Sequence, residues 1–527
     1  MNETASPTAA HDLPRAVTAQ TRLLLPFFFE RRAADRASEA LASASTGIAA
    51  GLWKPEPPRK LYRYRLEMTG QLDRFLFTHG ERGRVEGAYL HVPGERIRRW
   101  LGALDVQVGT QVARVALAAT PGVELFLTAH GAGVLSLTFD LGNDVEPARV
   151  LELNRKLSIL TRPGERAPWL CASRADGEPS VPGGDHHGSN VPLGDRLGKP
   201  GAHFSMAELI AALLEPMRGM GVVPIQESLC AYAVVALPGS VDLLADRTST
   251  GPLLSALAQL LSTPAPAGGT GTPGIPNFLP ANDHWSAASL QGAAHLVTIP
   301  QGVLPAEEGI SEARDRWFVP YLTALLQRCA VKKAVEEATE MVVHEDVKPD
   351  AVSRLRSDVL AFALAGALPE VSVRNSLHRY YRMCQEAVDL DRNLAQVRGA
   401  LGDLEAQLSS RRQMEIAEAQ RDIARQSVES QESAHRIHMA LTWIEVFIVV
   451  AYAAELIKFF VLELPHIETP WMRWTAATLS IGTGVVALLV LRPWDNRHGK
   501  KGGQAAGAHL GDGRPSGVPP PGPAPHP

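Results

Sequence analysis

Trp474 to Leu491 is a run of eighteen apolar or small residues without a charge, closed at each end by Arg473 and Arg492. A helix of that length reaches the lower end of what is needed to cross a bilayer core. A second apolar stretch, about Met439 to Leu462, lies just before it and carries Glu445, Glu455 and Lys458. Each such charge costs ~3 kcal/mol near the bilayer centre. Glu445 stands beside Trp443 and can remain at headgroup level. Glu455 and Lys458 are i, i+3 neighbours able to pair, and Tyr452 adds a polar tip to the same span. The apolar remainder, including Val446 to Ala454, still favours insertion. Residues 437–491 thus read as a transmembrane hairpin.

The flanking charges orient it. Arg421, Arg425 and Arg436 precede the first span, and Arg492, Arg497, Lys500 and Lys501 follow the second. The connecting loop has only Arg473 as a firm positive charge, so both termini are expected in the cytosol, with Glu463 and Glu468 outside. The membrane would be the plasma membrane, or the inner membrane in a bacterium. The tail 492–527 is Gly/Pro/Ala-rich and reads as disordered.

The rest of the chain is not membrane-like. A mean hydropathy of -0.05 excludes a polytopic transporter. With 52 Lys+Arg against 56 Asp+Glu there is no overall basic charge, so no nucleic-acid partner is expected. Cys171, Cys230, Cys329 and Cys384 are isolated, which fits reduced thiols in a cytosol and not a zinc site.

No proline occurs from Ser372 to Leu464, so one helix could run unbroken into the membrane. Within it Tyr380, Met383, Ala387, Leu390, Leu394, Val397, Leu401, Leu404 and Leu408 alternate spacings of three and four, the seam of a coiled coil or a long packed helix. Gly399 and Gly402 each cost ~1 kcal/mol of helix propensity, so packing must support the seam. After Leu408 the next apolar seam is Ile416, Ala419 and Ile423, so one spacing of eight replaces the usual seven. That stutter locally unwinds a supercoil.

Upstream the patterning is mixed. Residues 1–60 form an N-terminal segment, partly disordered, whose apolar run Leu23–Phe29 is broken by Pro26 and which holds one short helix around 31–50. Alternation starts at Leu61 and opens an α/β region, 61–172, with a hairpin of Val123–Thr128 and Val134–Leu141 joined through His130-Gly131-Ala132-Gly133. A flexible linker, 173–202, leads to a second α/β region, 203–305, with a helix at Met206–Met217, strands at Leu229–Leu237 and Ala293–Ile299, and a helix at Leu253–Leu261. Residues 306–436 are helical and include the stalk. The fold class is therefore an α+β cytosolic domain, a long helical or coiled-coil stalk and a C-terminal two-helix transmembrane hairpin.

No P-loop, GxSxG or HExxH is present, and Gly131-Ala132-Gly133 is a hairpin turn and not a dinucleotide fingerprint, so the chain reads as a non-enzyme without a resident cofactor. Asp185-His186-His187, with His203 beyond, lacks ligand spacing on a rigid element and reads as a polar loop. Ser480 and Gly484 are a small-xxx-small pair suited to close helix packing in the second span. Intramembrane Glu455 is open to two readings, a cation site or a packing pair with Lys458.

The order of parts resembles the CorA-type magnesium transporter superfamily, on the layout from roughly 60 to 500 and on the sequence from about 375 to 495. Phe459-Phe460-Val461-Leu462-Glu463-Leu464-Pro465 stands where that family has Gly-Met-Asn, so no selectivity residue carries over. Trp443-Ile444-Glu445-Val446-Phe447 is also similar to a sporulation-related group of membrane proteins. The CorA-like resemblance implies a homo-oligomer built through stalk and first span. Glu455, with Glu463 and Glu468 at the mouth, would present carboxylate rings to a transported divalent cation. The rival reading is a membrane-anchored sensor or scaffold whose α/β domain binds a partner without transport.

Overall fold

A strand covered on both faces shows a continuous apolar run and not alternation, because neither side meets water. Leu23–Phe29 is such a run. It ends the first strand, Ala16–Phe28, which is buried along almost its whole length. Alternation places the first ordered strand near Leu61; the structure places it at Ala16, at the centre of the sheet, for this reason. Pro26 sits where one neighbouring strand ends (Leu24 opposite Cys230) and another begins (Phe27 opposite Pro224), and its carbonyl accepts from Ile225 N at 3.1 Å. The N–H that Pro26 cannot offer to Ile225 O is replaced by Lys332 Nζ, which donates there at 2.7 Å.

The computed structural model describes residues 14–31, 33–44, 51–55, 67–77, 87–101, 103–108, 111–118, 122–160, 170–172, 203–243, 245–261, 277–281, 283–300, 310–343, 349–366 and 368–459, with scattered positions between 471 and 485. The expected strand at Tyr62, the linker 173–202 and the tail fall outside them. The strands are β1 (Ala16–Phe28), β2 (Lys54–Pro55), β3 (Gly87–Val92), β4 (Ala103–Val108), β5 (Gln111–Leu117), β6 (Val123–Thr128), β7 (Ala132–Val145), β8 (Leu170–Ala172), β9 (His203–Phe204), β10 (Val223–Pro224), β11 (Cys230–Pro238), β12 (Asn277–Ala281), β13 (His284–Ala288) and β14 (Gly292–Ile299). The helices are α1 (Ala34–Ser43), α2 (Gly70–Phe77), α3 (Gly94–Leu101), α4 (Pro147–Leu157), α5 (Met206–Leu214), α6 (Arg247–Ala258), α7 (Phe318–Val343), α8 (Pro349–Ala361), α9 (Asn375–Ala387) and α10 (Leu390–Lys458).

One mixed sheet joins strands from both α/β regions, in the order β12-β13-β14-β11-β1-β7-β5-β4-β8-β9, with β10 on β1 and β6, β3 and β2 branching from β7. Only β11 and β14 pair in parallel among the described pairs. The β6–β7 hairpin lies where the sequence places it, and Gly131 takes φ +75°, which a side chain would strain. Gly133 has a different cause. A Cβ there would lie 2.4 Å from the Phe27 ring, so the residue is small because β1 packs over it.

Two cores follow from the two faces. Leu23, Leu25 and Phe27 of β1 share one with residues of α1, α4, α5 and α6; Leu24 and Phe28 share the other with residues of α2, α7 and α9. Helix α5 starts with a complete capping box, Ser205 and Glu208 each bonding the other's backbone N–H.

The expected unbroken helix from Ser372 is interrupted. Helix α9 ends at Ala387, Asp389 adopts φ +54°, and α10 begins at Leu390. Asp and Asn are the non-glycine residues that take this conformation most readily. The seam survives the break, but its first part has a partner within the chain: Tyr380, Met383, Leu390, Val397, Leu401 and Leu404 are all buried in the second core, and Arg356 of α8 pairs with Glu405 at 2.6 Å. Residues Met1–Ser409 form one compact unit and Ser410–Pro527 another. In the second unit α10 is exposed almost throughout.

Candidate functional site

Helix α10 is long and apolar enough to cross a membrane. Its most apolar eighteen-residue window has a mean hydropathy of 1.9, and no part of that window is buried. A core helix with such a window would hide it. Here Trp443 is 69% exposed and Phe447 77%. Glu445, Tyr452, Glu455 and Lys458 all lie on this exposed helix, and no ion pair joins Glu455 to Lys458 among the described residues. Glu463 and Glu468 of the loop, and Ser480 and Gly484 of the second span, fall outside the described residues. Trp474, Thr478 and Ile481 are helical, and Thr478 Oγ1 donates to Trp474 O at 2.7 Å.

The globular unit holds two buried polar clusters under α7 and α9. In the first, Arg22 of β1 donates to Glu124 of β6 at 2.5 Å and to Asp315 at 2.9 Å, and its guanidinium lies 4.1 Å over the Phe318 ring. Tyr89 of β3 donates to the second Glu124 oxygen at 2.9 Å. Arg314 grips Asp315 through Nε and a terminal nitrogen, both at 2.9 Å. Asp315 belongs to a π-helical turn, Glu312–Arg316, whose wider pitch precedes α7. One buried cation thus ties the central strand, β6 on the far side of β7 and the helical layer together, with two carboxylates supplying the countercharge.

The second cluster joins β13, β14 and α9. His284 Nε2 lies 2.9 Å from His295 Nδ1, and Ser286 Oγ lies within 3.1 Å of both. His295 Nε2 meets the Tyr380 hydroxyl at 3.0 Å. One proton scheme accounts for the contacts: Tyr380 donates to His295 Nε2, the His295 Nδ1–H is shared between His284 Nε2 and Ser286 Oγ, and the Ser286 hydroxyl donates to His284 Nε2. Both rings are then neutral. Burial pushes His284 down to about 3 with a smaller push from the Arg316 charge, and burial also lowers His295 well below its ordinary value. Trp317 stacks edge-on against His284 and Tyr380. Cys384 lies one turn beyond Tyr380 and its thiol is pushed up by burial; Cys230 and Cys329 are likewise buried and free.

All members of the two clusters named as partners in hydrogen bonds, apart from Arg314, are buried, so they present little surface to a substrate. Two histidine nitrogens 2.9 Å apart share a proton and leave no room for a metal between them. Among the described residues no group of three or more His, Cys, Asp or Glu could hold a metal ion. These clusters were not visible in the sequence. Arg22 directly before the apolar run Leu23–Phe29 was the one available signal, since an arginine in a buried strand needs a buried partner. His284 and His295 lie 11 residues apart on the paired strands β13 and β14, but Tyr380 lies 85 residues beyond His295 and carries no spacing that points to their meeting.

No family model, curated protein or solved structure matches the chain. The reading of its function therefore rests on the geometry alone.

Proposed function

We propose that this chain is a membrane-anchored protein whose α+β domain stands on the cytosolic side, held through α10 by a hairpin of two transmembrane helices. The observation that carries the reading is the exposed apolar window of α10, continuous with the helix that starts inside the globular core. Trp474–Leu491 completes the hairpin, and the positive flanks keep both termini in the cytosol. The buried clusters act as fixed cross-braces between sheet and helical layer. The domain is then suited to binding a partner or ligand near the membrane.

Accessibility of single cysteines to an impermeant maleimide tests the arrangement. Gly503→Cys in the tail is expected to label only after the membrane is opened, and Thr469→Cys in the loop on intact cells. Labelling of both from the same side would reject the hairpin.

A second reading, cation conduction by a CorA-like oligomer, is supported by Glu455 and Lys458 inside the apolar stretch, where isolated charges persist mainly for function or pairing. Proteoliposome flux of a divalent cation, compared between the wild type and Glu455→Gln, tests it. No flux, or flux indifferent to the substitution, removes Glu455 from a pathway.

A further inference from the structure

Beyond Ser409, α10 has a second seam that nothing in the described chain covers. Ile416, Ile423, Ser430, Ile437 and Ile444 recur at intervals of seven. The four isoleucines are 57–66% exposed. An interval of seven departs from the 3.6-residue helical turn, and keeping it over several turns is the mark of a helix that supercoils with another. With these residues at position a, positions a, d and e carry no charge from 416 to 448, while Glu415, Asp422, Glu429 and Arg436 fill g. The uncharged stripe then runs into the apolar window, where Glu455 falls at e and Lys458 at a.

Three arguments choose the occupant. Two copies inserted in one bilayer through the same residues stand parallel and at equal height, so each isoleucine meets its own counterpart. Charges at four successive g positions are tolerated at the rim of a two-stranded coil but would be buried in a larger ring. Finally, Glu455 and Lys458 have no ion pair within one helix, yet both lie on the stripe, where ionisable groups inside a membrane face a helical partner.

We propose that α10 pairs with α10 of a second copy of this chain, parallel and in register along 416–448, so that the partner's helix covers the isoleucine ladder and brings its own charges beside Glu455 and Lys458. Of the d positions, Ala419, Ser433 and Ala440 are small and allow a close approach, while Gln426 and Phe447 are the larger members. The pairing rests on the membrane-anchored reading for its register.

Full-length Ser430→Cys and Glu432→Cys, oxidised in the native membrane, test it, with the wild type as blank because its cysteines in the described core are buried. A disulfide dimer at Ser430→Cys and none at Glu432→Cys is expected, together with a detergent-solubilised mass of two chains that falls to one in Ile423→Lys/Ile437→Lys. Equal crosslinking at both positions, none at Ser430→Cys, or a mass of five chains overturns the pairing. Alkaline extraction of the same membranes separates the two readings. Chain that stays in the bilayer without a Ser430→Cys crosslink defeats the pairing alone, whereas crosslinked chain released into the supernatant defeats the anchor and leaves the pairing standing.

Discussion

Glu124 bears the largest expected single-residue effect. It is fully buried and supplies half of the countercharge to Arg22. Glu124→Gln removes that charge and leaves a buried cation undercompensated, a change that costs about 3–5 kcal/mol. Tyr89→Phe takes away one hydrogen bond to the same carboxylate and leaves the ion pair, for a smaller loss of about 1.5–3 kcal/mol. Denaturant midpoints of the full chain in detergent, Glu124→Gln below Tyr89→Phe below wild type, check the order. Of this cluster only the oddity of Arg22 was legible in the sequence. Glu124 sits in an otherwise ordinary strand, and Asp315 lies 293 residues from Arg22. Periodicity reports which face a residue takes, and it carries no information on which distant residue waits there.

At the scale of elements, the strands and helices around 123–141, 206–217, 229–237 and 293–299 follow the sequence closely, because short apolar runs closed by turn residues, and caps, are local signals that survive even where a strand is buried on both faces, as β6 and β11 are. Strand β1 does not, because burial on both faces erases alternation and Pro26 interrupts the apolar run that is left. The seam of α10 is a middle case. The spacing from Leu390 to Leu404 was legible, but the same spacing serves a coiled coil and a helix packed on its own domain, and here the second core covers it. Leu404→Ala is therefore expected to destabilise the globular unit by about 2–5 kcal/mol. Gly399 and Gly402 lie on its exposed side with open space where a Cβ would stand. Gly399→Ala and Gly402→Ala should each stabilise by about 0.5–1 kcal/mol, read as a rise in thermal midpoint. A fall would mean that the glycines serve a contact outside the chain.

For the molecule as a whole, three buried histidines set the response to acid. His130 is held down to about 4, chiefly by burial and next by the Arg31 charge; His284 is held at about 3, and His295 is lowered. Above the ordinary histidine value both folded and unfolded chains are neutral at these sites, and none of the three affects stability. Below it the unfolded chain takes up protons that the folded chain refuses. Stability is then lost at about 1.4 kcal/mol per pH unit per histidine, down to the folded value. The thermal midpoint should fall between pH 6.5 and 5 more steeply in the wild type than in His130→Asn, and a slope unchanged by that substitution would mean that His130 titrates freely. On the proposed membrane anchoring, retention in the membrane should not follow this loss, since the apolar window of α10 lies in another unit. Its most direct test is alkaline carbonate extraction of membranes carrying the full chain beside Phe447→Lys/Val450→Lys, two charges that add about 6 kcal/mol to the insertion of the first span. The wild type is expected in the pellet and the double variant, with a single span left to hold it, in larger part in the supernatant. A wild-type chain released into the supernatant would contradict the membrane anchor outright.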